Sequence, residues 1–273
     1  MQTEYLLVLD KKMLETIPFT RDIHIANQFI AAKGSLNNRV ILITGAGDGI
    51  GRQIALTYAD LGATCILLGK TVSKLEAVYD EIVRTGGSEP AIVPLDLRGA
   101  TPQHYVDMGL TIKDQFGHLD GLIHNAGMLG MLCPFSQIKI SEWQDIMQVN
   151  VNAAMYMTQG LLPCLEASPN SASVVFTTST VGRKARKFWG TYSVSKFATE
   201  GMMEILAEEY DTANIRFNCV NPGATRTDMR ASAYPAEDAS QLKAALDIMP
   251  TYLYLVDDAS QSITGKIFDC QPK

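Results

Sequence analysis

The chain has 273 residues, of which 47% are apolar and 19% charged. That is enough apolar material for one sizeable core, and it excludes a disordered or collagen-like polymer. The 23 basic and 29 acidic residues leave a formal charge of −6. Such a surface repels polyanions, so nucleic acid is not an expected partner.

Five cysteines, at 65, 133, 164, 219 and 270, are odd in number, and no two lie closer than 31 residues. With no CxxC and no HxxxH, a disulfide framework and a zinc ribbon are poor readings, and no metal is expected. Reduced thiols in the cytoplasm fit this pattern better. The longest uncharged run, Ile146 to Leu165, has the length of a membrane span. It also carries Gln148, Asn150, Asn152, Thr158, Gln159 and Pro163, which a lipid-facing helix rarely tolerates, so it reads as a helix buried in protein. No basic stretch precedes an apolar run at the N-terminus, so neither a signal peptide nor a membrane association is expected.

Residues 1–38 stand apart as an arm without a motif. Tyr5 to Leu9 is a short apolar run, Pro18 follows, and Ile23 to Ala32 has the spacing of a short amphipathic helix. This arm reads as peripheral or as the product of an upstream start codon, with packing on a partner subunit as the alternative.

From Arg39 onward, apolar runs alternate with helical spacing. The runs Val40–Thr44, Thr64–Leu68, Ala91–Leu95, Leu119–His124, Ser173–Thr178, Arg216–Val220 and Lys266–Asp269 predict buried strands. Helical spacing covers Ile50–Leu61, Val72–Arg84, 101–116, 141–167 and 190–212, with Ser73 and Glu76 in a capping-box pattern. Continuous apolar strands between helices imply a single α/β domain, 39–273, with a parallel sheet covered on both faces.

The first strand runs into Thr44-Gly-Ala-Gly-Asp-Gly-Ile-Gly51, and a helix follows. Gly45, Gly49 and Gly51 let the backbone turn sharply beside a pyrophosphate, which the helix N-terminus then attracts. Strand, glycine loop and helix in this order point to a Rossmann-type doubly wound sheet, and the loop lacks the Lys-Ser/Thr ending of a P-loop.

TGxxxGxG resembles the cofactor loop of the short-chain dehydrogenase/reductase family. Further matches follow in that family's order: Asp96, then Asn125, Ala126 and Gly127, then Asn150, Ser179, Tyr192-Ser-Val-Ser-Lys196, and Pro222-Gly223. The surrounding HNAG, QVNVNA, KFATEGMM and MRASAYP are similar to the YciK subgroup of oxidoreductases.

Tyr192 and Lys196, four apart on one helix, share a face. A nearby ammonium is expected to lower the phenol's pKa from about 10 toward neutrality. The resemblance implies Tyr192 as proton donor or acceptor, Ser179 as substrate positioner, and Lys196 as pKa tuner and ribose ligand. It implies Asn150 as support for a water-linked relay, with a structural role in a kinked helix as the competing reading. Thr178 and Thr180 flank Ser179; the thirteen-residue interval to Tyr192 and the resemblance favour Ser179.

No carboxylate follows the second strand, where Gly69-Lys70-Thr71 stands. Lys70 resembles the basic residue of NADP-preferring members, so NADP(H) is favoured over NAD(H), against the alternative of a solvated lysine. Lys74 and Arg52 add cations nearby. Asp48 departs from the pattern, and pointed inward it would weaken phosphate binding. The resemblance further implies cofactor contacts from Ile50, Asp96 and Leu97, and from Pro222, Gly223, Thr225 and Thr227. His124 stands where the family more often has asparagine; a satisfied core residue is the favoured reading.

On the substrate side, residues 226–250 occupy the family's lid position. Arg183-Lys-Ala-Arg-Lys187 places four cations in a loop that should border the site. A solvated loop is preferred there over steering of an anionic substrate. Together these features imply an oxidoreductase acting on a small carbonyl or alcohol. The alternatives are a 3-oxoacyl thioester reductase and a non-catalytic nicotinamide-binding sensor or scaffold. The resemblance also implies a homodimer or homotetramer through helices 141–167 and 190–212.

Overall fold

The computed structural model describes residues 23–272. The apolar run at Tyr5 to Leu9 and Pro18 lie outside them. Strand β1 is Ile23–His24, followed by β2 Val40–Thr44, helix α1 Gly49–Asp60, β3 Thr64–Gly69, α2 Val72–Arg84 and β4 Ala91–Pro94. Next come α3 Pro102–Phe116, β5 Gly121–His124, α4 Ile140–Met147, α5 Ala153–Glu166, β6 Ala172–Thr177 and α6 Gly190–Glu209. The chain then forms β7 Ile215–Asn221, α7 Asp228–Ala233, α8 Met249–Val256 and β8 Lys266–Asp269.

All eight strands are parallel and lie in the order β1-β8-β7-β6-β5-β2-β3-β4. Side chains of a strand alternate between faces, so each apolar strand feeds two cores. Val40 and Leu42 pack with α3, α5 and α6, whereas Ile41 and Ile43 pack with α1, α2 and α8. Each large aliphatic side chain buried this way stabilises by roughly 1.5–3 kcal/mol before ordering costs. The sheet order reverses between β2 and β5, so the crevice above their carboxyl ends is the natural ligand site.

Three local expectations need correction. Ile23–Ala32 is not a helix: Ile23 and His24 pair in parallel with Ile267 and Phe268 and extend the sheet by one strand. The free strand edge of β8 wins over the weak helical periodicity. Leu36, also in the arm, is fully buried against the α1 side of the sheet. Ser73 and Glu76 form no capping box, because α2 begins at Val72 with Thr71 as its cap residue and Ser73 already lies in the first turn. The predicted helix 141–167 is interrupted by a π-helical turn at Gln148–Asn152, which separates α4 from α5.

Residues Met249–Val256, the first of which fall in the expected lid, form α8 and are anchored from below. Arg216, fully buried on β7, donates to the carbonyls of Leu255 at 3.2 Å and Asp257 at 3.1 Å. A cation at the C-terminal end of a helix is favoured by the helix dipole. Among the described residues, all five cysteines are buried and none forms a disulfide, and no helix is long and apolar enough to cross a membrane.

Candidate active site

Two cavities open at the carboxyl ends of the strands. One, of about 340 Å³, spans Gly45 to Ala233 and includes Ser179, Tyr192 and Lys196 in its wall. The other, of about 300 Å³, lies between the glycine loop and the ends of β3 and β4, with Lys70, Thr71 and Lys74 at its rim. Both are walled by Gly45, Asp48, Ala126 and Gly127, so they are two lobes of one long cleft.

The glycine loop joins the lobes. Gly45 has φ +68°, a region where an L side chain is strained. A Cβ on Gly51 would overlap the Gly45 carbonyl oxygen and come within 2.6 Å of Asn125 Nδ2. Gly51 therefore lines neither lobe; its bare backbone lets the helix start sit under the loop. Gly49 and Ile50 line the larger lobe. The Thr44 hydroxyl accepts from the backbone N–H groups of Asn125 at 2.9 Å and Ala126 at 3.0 Å and donates to the Ile123 carbonyl at 3.1 Å. One hydroxyl thus ties the ends of β2 and β5 together and fixes the cleft floor.

Asp48 does not present an unpaired charge to the cleft, contrary to the concern raised by its position. Its carboxylate caps α1 by accepting from Gly49 N at 2.7 Å and is ion-paired with Lys74. Arg52 pairs with Glu81 on α2 and does not line either lobe. Lys70 remains exposed at the rim of the smaller lobe. Asp96 and Leu97 also line that lobe; the Asp96 carboxylate accepts from Arg98 N at 3.0 Å.

In the larger lobe three of the four residues implied by the resemblance, Ser179, Tyr192 and Lys196, come together, and Asn150 lines a small separate pocket behind Lys196. The Ser179 hydroxyl and the Tyr192 phenol share this wall, and Ser179 acts to favour the phenolate. Its two rivals are committed elsewhere: Thr178 donates to Glu200 at 2.7 Å, and Thr180 accepts from Asn221 at 3.2 Å. Lys196 is buried, donates to the Thr177 carbonyl at 2.7 Å, and lies 5.5 Å from the centre of the Tyr192 ring. Burial lowers its pKa to about 8, partly offset by Cys219 and Glu200.

The expected depression of the Tyr192 pKa is not what the geometry gives. Burial pushes the phenol up to about 12, and Ser179 opposes this only in part. The ammonium faces the ring and a backbone carbonyl, so desolvation wins.

Asn150 sits in the π-helical turn. It accepts from Met128 N at 2.7 Å and donates to Met128 O and Ser195 Oγ, both at 2.9 Å. A pocket of about 10 Å³ lies between Asn150, Lys196, Thr177 and His124, room for at most one water. His124 is a satisfied core residue. It is bonded to Thr158 at 2.9 Å, stacked 4.8 Å from Phe176, and driven by burial to a pKa of about 3.

Pro222, Gly223, Thr225 and Thr227 line the larger lobe. The Thr225 hydroxyl is turned back to Pro222 O at 3.2 Å, whereas Thr227 accepts from Arg230 N at 3.2 Å and keeps its own proton to donate. Met229 also lines this wall, and so do Leu129, Trp189, Arg230 and Ala233, which sequence reasoning did not single out. Trp189, three residues before Tyr192 at the head of α6, was the one signal available. Arg230 is held by Glu237 at 2.5 and 2.6 Å and lies over the Tyr234 ring. None of Arg183, Lys184, Arg186 and Lys187 lines the cleft, and Arg183 is bound to Asp269 at 2.6 Å.

Reversed sheet order, glycine loop, two-lobed cleft and a Ser/Tyr/Lys wall define a dinucleotide-dependent oxidoreductase. A family model described as short chain dehydrogenase matches residues 39–238. The chain belongs to that family. Oxidoreductase YciK of Escherichia coli K12 is 52% identical over 237 residues, covering 87% of this chain and 93% of that one. A Shigella flexneri short chain dehydrogenase complexed with NADP is 51% identical, with TM-score 0.86 over 88% of this chain and 100% of that one. One from Escherichia coli CFT073 complexed with NADPH is also 51% identical, with TM-score 0.85 over the same shares.

Proposed function

We propose that the protein is an NADP(H)-dependent oxidoreductase that interconverts a small, largely apolar carbonyl compound and its alcohol. The observation that carries this reading is the Ser179–Tyr192–Lys196 cluster in the wall of a cleft long enough for a dinucleotide. Gly45, Gly49 and Ile50 would hold the pyrophosphate at the N-terminus of α1. Gly51 enables that approach from behind. Asp96 and Leu97 would bound the adenine. Lys70, with no carboxylate beside it after β3, favours the 2′-phosphate, and the NADP and NADPH complexes of the relatives support the same choice. Asn125, Ala126 and Gly127 would floor the middle of the cofactor. Pro222, Gly223, Thr225 and Thr227 would border the nicotinamide, which supplies or accepts the hydride when bound.

Tyr192 handles the proton at the substrate oxygen. At neutral pH its phenol is protonated and Lys196 is charged, a resting state set to donate a proton to a developing alkoxide. Ser179 steadies that oxygen, Lys196 holds the ribose and favours the phenolate left behind, and Asn150 supports a one-water relay from the pocket beside Lys196. Leu129, Trp189, Met229 and Ala233 make the substrate wall mainly apolar.

Apolar side chains exposed on α5 and α6, Met155, Val194, Phe197 and Ile205, favour a homodimer or homotetramer. Five cysteines outside any disulfide favour the cytoplasm. The test is a panel of carbonyls and alcohols followed by nicotinamide absorbance with NADPH and NADH, on wild type and Tyr192→Phe. Turnover with NADPH that falls at least about 100-fold in the variant, with NADPH binding retained, supports the reading. Undiminished turnover in the variant, or no dinucleotide binding by wild type, overturns it.

A further inference from the structure

Beneath the Ser179–Tyr192–Lys196 cluster lies a set of charges that the proposed chemistry does not use, Glu200 buried and Arg183 and Asp269 partly so. Glu200 is fully buried on α6, one turn after Lys196. It accepts the Thr178 hydroxyl at 2.7 Å, and Arg183 Nε lies 3.8 Å away. Arg183 also donates to Asp269 at the end of β8 at 2.6 Å. Asp269 in turn accepts from Asn221 at 2.9 Å, and Asn221 donates to Thr180 at 3.2 Å. The chain closes around Ser179: the residue before it is tied to Glu200, the residue after it to Asn221.

A carboxylate is costly to bury unless its charge is used. Here two cations, Arg183 and Lys196, and two anions, Glu200 and Asp269, are confined together, and removing Glu200 leaves the buried Lys196 ammonium without its neighbouring carboxylate. Lys196 is faced by Tyr192 and Glu200 from α6, Cys219 from β7 and His124 from β5. His124 is neutral; Cys219 and, less strongly, Glu200 favour the ammonium, and Glu200 is the carboxylate of the two, one helical turn from Lys196 on α6.

We propose that Glu200 is a positioning residue of the active site: it grips Thr178 to aim the Ser179 hydroxyl at Tyr192 and serves as counter-charge to Lys196. Its role in turnover rests on the function proposed above, whereas the geometry and charge coupling do not. Arg183 thereby leaves the basic loop and becomes part of the support.

The test compares wild type with Glu200→Gln, which keeps shape and an acceptor but not charge, and with Thr178→Val, which breaks the grip but keeps the charge. Lys196 is titrated by NMR of isotope-labelled lysine, assigned by loss of its signal in Lys196→Arg. In Glu200→Gln the Lys196 midpoint should fall by about one pH unit or more, a tenfold change. The alkaline limb of the kcat profile should move down with it, because turnover needs the ammonium. Thr178→Val should leave the midpoint in place and lower kcat about tenfold at unchanged dinucleotide KM. A role confined to stability would lower Tm and move neither midpoint nor limb, and that result overturns the proposal. Should Glu200→Gln fail to fold, wild-type kcat in Thr178→Val overturns it and a reduced kcat supports it. If wild type shows no dinucleotide-dependent turnover, the proposed function fails, and the Lys196 titration still decides the coupling to Glu200.

Discussion

The two lobes of the cleft are built on opposite electrostatic plans. The lobe between the glycine loop and the ends of β3 and β4 carries its charges at the surface. Asp48 and Lys74 pair there with both side chains about half exposed, so water and salt screen them and a competing anion can separate them. The lobe around Tyr192 carries its charges inside. Lys196 and Glu200 are buried and Arg183 partly so, held by hydrogen bonds to Thr177, Thr178 and Asp269 at the ends of β6 and β8, in a setting where an unmatched charge is expensive. One lobe is suited to capturing and releasing a charged ligand. The other is suited to holding reacting groups still.

If the lobes are separable in this way, changes in one should leave the other's readout alone. The largest effect is expected for Gly51→Val. Its side chain must displace the Gly45 carbonyl or Asn125, so dinucleotide affinity measured by calorimetry should fall more than about 100-fold, a loss of ~2.7 kcal/mol or more. Retained affinity in a folded variant would show that the loop is not built on that contact.

Trp189→Ala removes an aromatic wall of the substrate lobe. A fall in kcat/KM of about 30-fold for apolar substrates is expected, near 2 kcal/mol, with dinucleotide affinity unchanged. A parallel loss of dinucleotide affinity would mean that the lobes are not independent.

His124, under the junction of the lobes, sets a pH dependence of stability. Its folded pKa of about 3 lies below the ordinary 6.5. Between these values the unfolded chain binds the extra proton, so stability falls as pH drops below about 6.5. One group contributes at most about 1.4 kcal/mol per pH unit there. Urea denaturation at several pH values should show a shallower acid slope in His124→Asn; an identical slope would remove His124 as the cause.

The smallest effect is expected for Lys74→Gln. Losing an exposed partner of Asp48 should weaken NADPH binding relative to NADH by less than about tenfold, and added salt should narrow the difference. A loss much larger than this, insensitive to salt, would mean that the outer lobe is not solvent-screened.

Much of this architecture was legible in the residues. Val40–Thr44 and Lys266–Asp269 have the same bounds in the fold as in the apolar pattern, and the remaining strands differ by at most two residues at an end. The glycine loop, Ser179, Tyr192 and Lys196 were legible because each depends on a short motif, and the fold does bring them to one cleft. Strand β1 was not legible, since a two-residue strand has no periodicity and exists only because β8 offers it an edge. The wall residues Leu129 and Ala233 were hidden because exposure to a cavity leaves no mark on local spacing.

What the sequence determined by itself is therefore what neighbours along the chain determine: which segments are strands or helices, where the backbone needs glycine, and which reactive groups share a helical turn. The tertiary structure decided the charge state and allegiance of those groups. Arg183 meets Asp269 across 86 positions, Asp48 meets Lys74 across 26, and Thr178 meets Glu200 across 22. Desolvation then reversed the expected direction of the Tyr192 shift. Burial and pairing are properties of the folded surroundings, and a one-dimensional pattern carries the candidates for a pair without saying which of them will meet.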